Sequence, residues 1–179
     1  GWMLLSYGKK VSVSSSLEGY PAENIVDEDA RTAWVAQSNR DMEWAQVDLQ
    51  RLSSIHAIQV NFDEYGANQK GAVSGVYQSY LIYASVNGED WSLVVDYGTK
   101  KTDTPHDYIE FEEPFKARYI KLQNKEYMVS ENFSVRDLRI FGKGQGSTPR
   151  AVNDFTVERD EADPCKARLC WEAVPDAQG

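Results

Sequence analysis

The side chains best suited to chemistry in this 179-residue sequence are oxygen ligands and loop aromatics rather than nucleophiles. Between Val11 and Ala30 there is no Lys or Arg, yet Glu18, Glu23, Asp27, Glu28 and Asp29 all fall there. Carboxylates at the alternating positions Asp27 and Asp29, followed by the Thr32 hydroxyl, suit a hard cation, which takes several oxygens including backbone carbonyls. The spacing is not that of an EF-hand, and composition alone favours a solvated acidic loop. Tyr65, Tyr77 and Tyr127 lie in or beside long connections, where a ring face is free to pack on the apolar C–H face of a sugar. Hydroxyl-binding side chains share those connections: Gln37, Asn39, Arg40, Asn68, Gln69, Glu126 and Asn132. Plain loop packing is the alternative use of the tyrosines.

Catalysis has little to work with. The two histidines are His56, on the strand parity of Ile58, Val60 and Phe62 and so expected to pack or to sit at an edge, and His106, in a turn entering a strand, a structural residue with ligand contact as the alternative. No nucleophile elbow, zinc-protease, P-loop or dinucleotide motif occurs. Paired carboxylates hydrolyse glycosides only when placed across a sugar, which spacing does not establish, so the chain is expected not to be an enzyme. Cys165 and Cys170, the two cysteines, point to opposite faces of a strand and read as free thiols, a disulfide being the alternative. A net charge of −9 repels phosphate backbones and anionic headgroups, which argues against nucleic-acid and membrane-surface partners. No apolar run approaches the ~20 residues of a membrane span.

Short β-type runs must position these groups. They fall at residues 44–49, 55–62, 80–86, 91–95, 108–111, 117–123 and 135–141, with Asn87-Gly88 as a hairpin signal between the third and fourth. Ile120 and Leu122 alternate with Lys121 and Gln123, as Leu138 and Ile140 do with Arg139, giving one buried and one wet face. Such a series predicts an all-β antiparallel sandwich, with Trp34, Trp44 and Trp91 in the core. Long connections at 14–39, 63–75 and 124–134 are expected at its ends, where they carry function. The opening residues 1–8 read as the tail of a preceding domain, so the sequence looks like a piece of something longer. A Gly/Ser/Pro-rich linker is expected at 144–150, followed at 151–179 by a truncated β segment too short for a core of its own.

Several segments together resemble the coagulation-factor 5/8 type C, or discoidin, domain: PAENIVDEDARTAW (21–34), WAQVDL (44–49), NGEDW (87–91), ARYIKL (117–122) and VRDLRIFG (135–142). The resemblance covers 9–143 and implies a jelly-roll, galactose-binding-domain-like sandwich. It is nearest to bacterial family thirty-two carbohydrate-binding modules, and residues 101–108 are similar to domains attached to glycoside hydrolases of gut Bacteroidetes. Residues 151–179 resemble the start of a fibronectin type III module. A structural Ca²⁺ is implied through the Asn24 carbonyl, Asp27, Asp29, Thr32, the Arg136 carbonyl and Asp137. Glu28 stands where relatives usually have Gly, so a turn needing positive φ would be strained there. The implied function is non-catalytic carbohydrate binding, with Tyr65 or Tyr127 stacking and Asn39, Arg40 and Asn68 holding hydroxyls. Val35 replaces the His of galactose-binding members, and Lys70 is the only cation where they place an Arg, so the sugar is not implied. The implied parent is an extracytoplasmic bacterial glycoside hydrolase, chitobiase-like or xylosidase/arabinosidase-like, with its catalytic domain in the same chain. The competing reading is a structural or protein-interaction spacer that packs on that domain without binding sugar.

Overall fold

The computed structural model describes residues 1–67 and 75–144. Asn68, Lys70, both cysteines, and the expected linker and fibronectin-like segment, apart from Gly144, lie outside them. Among the described residues eight strands form in chain order: β1 (Met3–Leu4), β2 (Lys10–Val13), β3 (Trp34–Val35), β4 (Trp44–Phe62), β5 (Gln78–Ser85), β6 (Ser92–Tyr97), β7 (His106–Tyr127) and β8 (Ser134–Gly144), with a 3-10 helix at Ala22–Val26. They pair in the order β1-β8-β4-β7-β5-β6, with β2 added to β4 and β3 to β8, and β1–β8, β2–β4, β3–β8, β4–β7, β5–β6 and β5–β7 are antiparallel. The fold is a jelly-roll sandwich.

The sequence suggests separate strands at 44–49 and 55–62, and at 108–111 and 117–123, but each pair is one continuous strand. β4 and β7 run side by side through a corner where the register breaks between Asp48 and Ser53, and again between Ile55 and Ala57. Pro114 falls in the unpaired part of β7 at the second break, where its missing N–H costs no ladder bond. Gln50 takes the corner at φ +67, its N–H bonded to Asp48 Oδ1 at 2.7 Å. Val47, Leu49, Ile120 and Leu122 before the bend, and Ile58, Val60, Leu138 and Ile140 on the other layer, meet in one buried cluster around Trp34. Alternation thus buries one side of each layer.

Met3–Leu4 pairs with Phe141 and Gly142, the Leu5 N–H bonds to the Ile140 carbonyl at 2.7 Å, and Leu5 joins the core. The expected tail of a preceding domain is therefore part of this sandwich, because β8 would otherwise have an unpaired edge there. Trp34 is buried as expected, its indole N–H on the Ser15 carbonyl at 2.8 Å. Trp44 and Trp91 are not core residues: they lie half-buried on the outer face, where the Lys121 ammonium sits 5.7 Å and 4.5 Å from their rings. His56 faces outward too and stacks on Trp2 at 5.0 Å. The register break beside it leaves Ala57 and Ile58 both buried, which inverts the parity from which its packing was inferred.

Candidate functional site

The described parts of the long connections, 14–39, 63–67 and 124–134, meet at one end of the sandwich, as the strand order requires of loops flanking β3, β4, β7 and β8. The 3-10 helix and its preceding turn reach β3 through the Leu17 N–H on the Val35 carbonyl and the Val35 N–H on Tyr20. The connection from β3 to β4 is tied to the one from β7 to β8 by Ala36 and Phe133, each N–H reaching across, the latter to Ser38. Asp63, just past β4, bonds through its N–H to the Ser134 carbonyl and accepts the Arg136 guanidinium at 2.7 Å.

The turn at 38–43 is fixed from below by two buried polar residues. Asn124 donates its amide to the carbonyls of Asn39 and Arg40, at 2.8 and 2.9 Å, and its N–H to Glu43. Glu43, buried at the mouth of β4, accepts the hydroxyls of Ser14 and Ser15 on one oxygen, at 2.6 and 2.7 Å, and of Ser38 on the other, at 2.5 Å. Burial alone would push this carboxyl up. The hydroxyls of Ser14, Ser38 and Ser15, with the charge of Arg40, outweigh burial and hold it below the usual carboxylate range. One anion thereby pins two loops.

Above this base lies an open cleft of about 510 Å³ between Asn39, Arg40, Asp41 and Met42 on one wall and Lys125, Glu126, Tyr127 and Met128 on the other. Met42 is 60% exposed and Met128 45%. On the Lys125 side Glu126 accepts the Tyr77 hydroxyl at 2.9 Å and pairs with Lys101, whose ammonium lies 4.5 Å from the Tyr77 ring. The Lys101 hydrogen bond first, then that of Tyr77, lower the Glu126 carboxyl. Tyr65 is not among the residues that line the cleft: it lies half-buried in the turn after β4, edge-on to Tyr20 at 5.0 Å.

Of the sugar-binding residues expected, Arg40 and Tyr65 stay available, and Asn68 lies outside the described residues. Tyr127 does not. It is 1% exposed, packs on Phe62 and Phe133, and donates its hydroxyl to the Asp63 carbonyl. A break in the β5–β7 register, Tyr80 facing Asn124 but Ser79 facing Glu126, turns it inward against the alternation of Ile120, Leu122 and Asn124. Asn39 spends its amide on the Tyr127 and Ser130 carbonyls, at 3.3 and 3.0 Å, and so holds the loop rather than offering that donor to a ligand. Sequence reasoning missed Met42, Met128, Lys125 and Glu43. The last had a signal: Glu43 shares the inward parity of Ala45, Val47 and Leu49.

Of the expected cation ligands, Asn24, Asp27, Asp29 and Thr32 belong to the acidic loop and Asp137 is close enough to feel the Asp27 charge, whereas the Arg136 side chain turns to Asp63. Asp27 accepts the Asp29 N–H at 2.9 Å and the Thr32 hydroxyl at 2.6 Å. Asp29 is taken by the backbone and guanidinium of Arg31, which hold its carboxyl low. Asn24 donates its amide to the Ala33 carbonyl. Asp137, buried, accepts Asn61 at 2.9 Å. Burial raises its carboxyl, Asn61 opposes that, and the charges of Glu28 and Asp27 raise it further against Arg139. Among the described residues no three carboxylate or imidazole groups converge as a metal-holding set. The fit is partial: Asp27 and Asp137 are an acidic pair that positive charge would relieve, whereas Asp29 is already neutralised.

The sequence matches the F5/8 type C domain family over residues 10–138. Rat lactadherin is 33% identical over 110 residues, 58% of this chain and 25% of the relative, and mouse lactadherin 32% over 110 residues, 58% and 23%. The chain thus spans about a quarter of the curated relatives it matches. Among solved structures, chitosan-binding module 2 of a Paenibacillus sp. IK-5 chitosanase/glucanase, in complex with chitotriose, superposes with TM-score 0.65 at 20% identity, over 77% of this chain and 99% of that one. The family 32 carbohydrate-binding module of NanJ from Clostridium perfringens, in complex with galactose, gives 0.61 at 19% identity, over 78% and 97%. At such identities the likeness is one of fold.

Proposed function

Since the chain belongs to the F5/8 type C domain family, we propose that it is a non-catalytic carbohydrate-binding module that holds a secreted bacterial glycoside hydrolase near its glycan. The observation that carries this reading is the loop end itself. Two connections are locked by buried hydrogen bonds around an open cleft, leaving a guanidinium and two thioethers on its walls. Those are the groups that hold a sugar: soft apolar surface for C–H faces and directed donors for hydroxyls. Structural neighbours from glycoside hydrolases, some named for the sugar they hold, support it. A Ca²⁺ at Asp27 and Asp137 belongs to the same reading, as a structural ion that relieves their repulsion.

A shallow cleft buries little of a sugar and its polar contacts compete with water, so the affinity is on the order of 0.1–1 mM. Glycan-array screening of the folded chain, followed by titration of the strongest binder, tests the proposal. Tyr65→Ala should weaken binding while changing the melting temperature little. A blank array would favour the spacer reading.

A further inference from the structure

The charges around the cleft are not all committed to direct pairs. Glu126 is neutralised by Lys101 and Tyr77, and Glu43 beneath is caged by three serine hydroxyls. What remains on the walls is Arg40, Lys125 and Asp41. Among the described residues neither the Arg40 guanidinium nor the Lys125 ammonium makes an ion pair or a hydrogen bond, whereas most of the other arginines here are spent on a carboxylate: Arg31 on Asp29, Arg118 on Asp48, Arg136 on Asp63 and Arg139 on Glu28. Arg40 and Lys125 thus bring two cationic heads to the cleft that no carboxylate holds in a direct pair, with Asp41 beside them and the Glu43 charge buried beneath. The backbone of Arg40 is moreover rigid, its carbonyl held by Asn124 and its N–H by Ser38 at 3.2 Å, so the guanidinium departs from a fixed point.

A guanidinium reads a carboxylate through two parallel hydrogen bonds, and an ammonium adds a point charge. Met42 and Met128 offer unbranched, adaptable apolar surface from the two walls, suited to the C–H face of a pyranose ring. We propose that this cleft takes a carboxylated sugar, a uronic acid residue of a polysaccharide, with Arg40 and Lys125 on its carboxylate and Met42 and Met128 against its ring. The inference rests on the carbohydrate reading above and names the class of sugar.

The three methionines report on it directly. Met42 and Met128 flank the cleft, while Met3 pairs with Gly142 at the far end of β8, about 25 Å from Ser134 by strand rise. Methyl-labelled protein would be titrated with trigalacturonate, with its neutral parent galactotriose, and with a sulfated galactan fragment. Trigalacturonate should shift the Met42 and Met128 methyls and leave Met3 in place. At low salt it should bind about tenfold more tightly than galactotriose, a preference that shrinks in Arg40→Gln, in Lys125→Gln and at 0.5 M salt, as screened charge pairs require. Equal binding of the neutral sugar, or a preference that survives Arg40→Gln, would overturn the proposal, and equal binding of the sulfated fragment would overturn its carboxylate part. Neutral glycans moving the cleft methyls while the uronate does not would fell this inference alone. A blank across the whole glycan array, with the protein folded, would fell the carbohydrate reading with it.

Discussion

Arg139 donates two hydrogen bonds of 2.9 Å to the Glu28 carboxylate and a third, also of 2.9 Å, to Gln59 Oε1, so that β8 grips the acidic loop from 111 positions away. Glu28 itself sits at φ +59, in the left-handed region where a Cβ is unfavourable. The strain expected from a Glu at a Gly position is real, and the ion pair is what accompanies it.

Strain and pairing therefore oppose each other at this residue. Glu28→Gly should relieve about 1 kcal/mol of backbone strain and lose about 0.5–1 kcal/mol of a half-exposed ion pair, leaving stability nearly unchanged. Arg139→Ala should cost more in the natural background than in Glu28→Gly, since only there does it break the pair. A double-mutant cycle from denaturant unfolding measures the difference, and equal costs in both backgrounds would disprove the coupling.

Asp137 gives the cation reading a sign. Its folded carboxyl is raised, so the folded state binds the proton more tightly than the unfolded chain does, and stability falls as pH rises from the usual Asp value through the raised one. Without cation, Asp137→Asn should raise the melting temperature at pH 7, because the new side chain still accepts from Asn61 but carries no charge. Added Ca²⁺ should stabilise the natural protein and not Asp27→Ala. Melting curves that ignore both Ca²⁺ and chelator would remove the ion from the account.

Glu43 has the opposite sign. Its lowered carboxyl contributes stability that is fully present above the usual Glu value and is lost as pH falls through the lowered one. Glu43→Gln should cost roughly 1–3 kcal/mol at pH 7, the range for disturbing a buried, fully bonded charge. The variant should also lose less stability than the natural protein between pH 5 and pH 3. Parallel acid transitions in the two proteins would show that this carboxylate does not anchor the loops.

The two tyrosines first paired as stacking candidates should separate cleanly. Tyr127→Ala empties a site among Phe62 and Phe133 and should destabilise by about 3–5 kcal/mol. Tyr65→Ala should cost less than about 1 kcal/mol, since it is half-buried with one aromatic neighbour. Thermal unfolding of both variants decides, and similar losses would contradict their placement.

The sandwich was legible because apolar alternation at Ile120, Leu122, Leu138 and Ile140 needs only strand period to be read, and the gathering of the long connections follows from strand order. What alternation cannot reveal is a register break. His56 shares the apolar parity of Ile58 yet faces out, and Tyr127 closes a long strand at a loop yet is buried. Each lies next to a break in pairing with a neighbouring strand that a single sequence does not display. Asn39 was misjudged for a different reason. Its type fits a sugar hydroxyl as well as a backbone carbonyl, and only the approach of Tyr127 and Ser130 decides between them.

The corner that carries β4 and β7 from one layer into the other makes those strands common property. Neither layer can be peeled away while its hydrogen bonds are kept, because the same two backbones close both. Opening should therefore be all-or-none, with amide exchange in Val47 and Ile120 collapsing together with that in Ile58 and Val60 rather than in separate stages. Most pairings also join residues remote in sequence, such as Asp48 with Tyr119, so the nucleus must close large loops before it gains contacts, and refolding should be slow for a domain of this size.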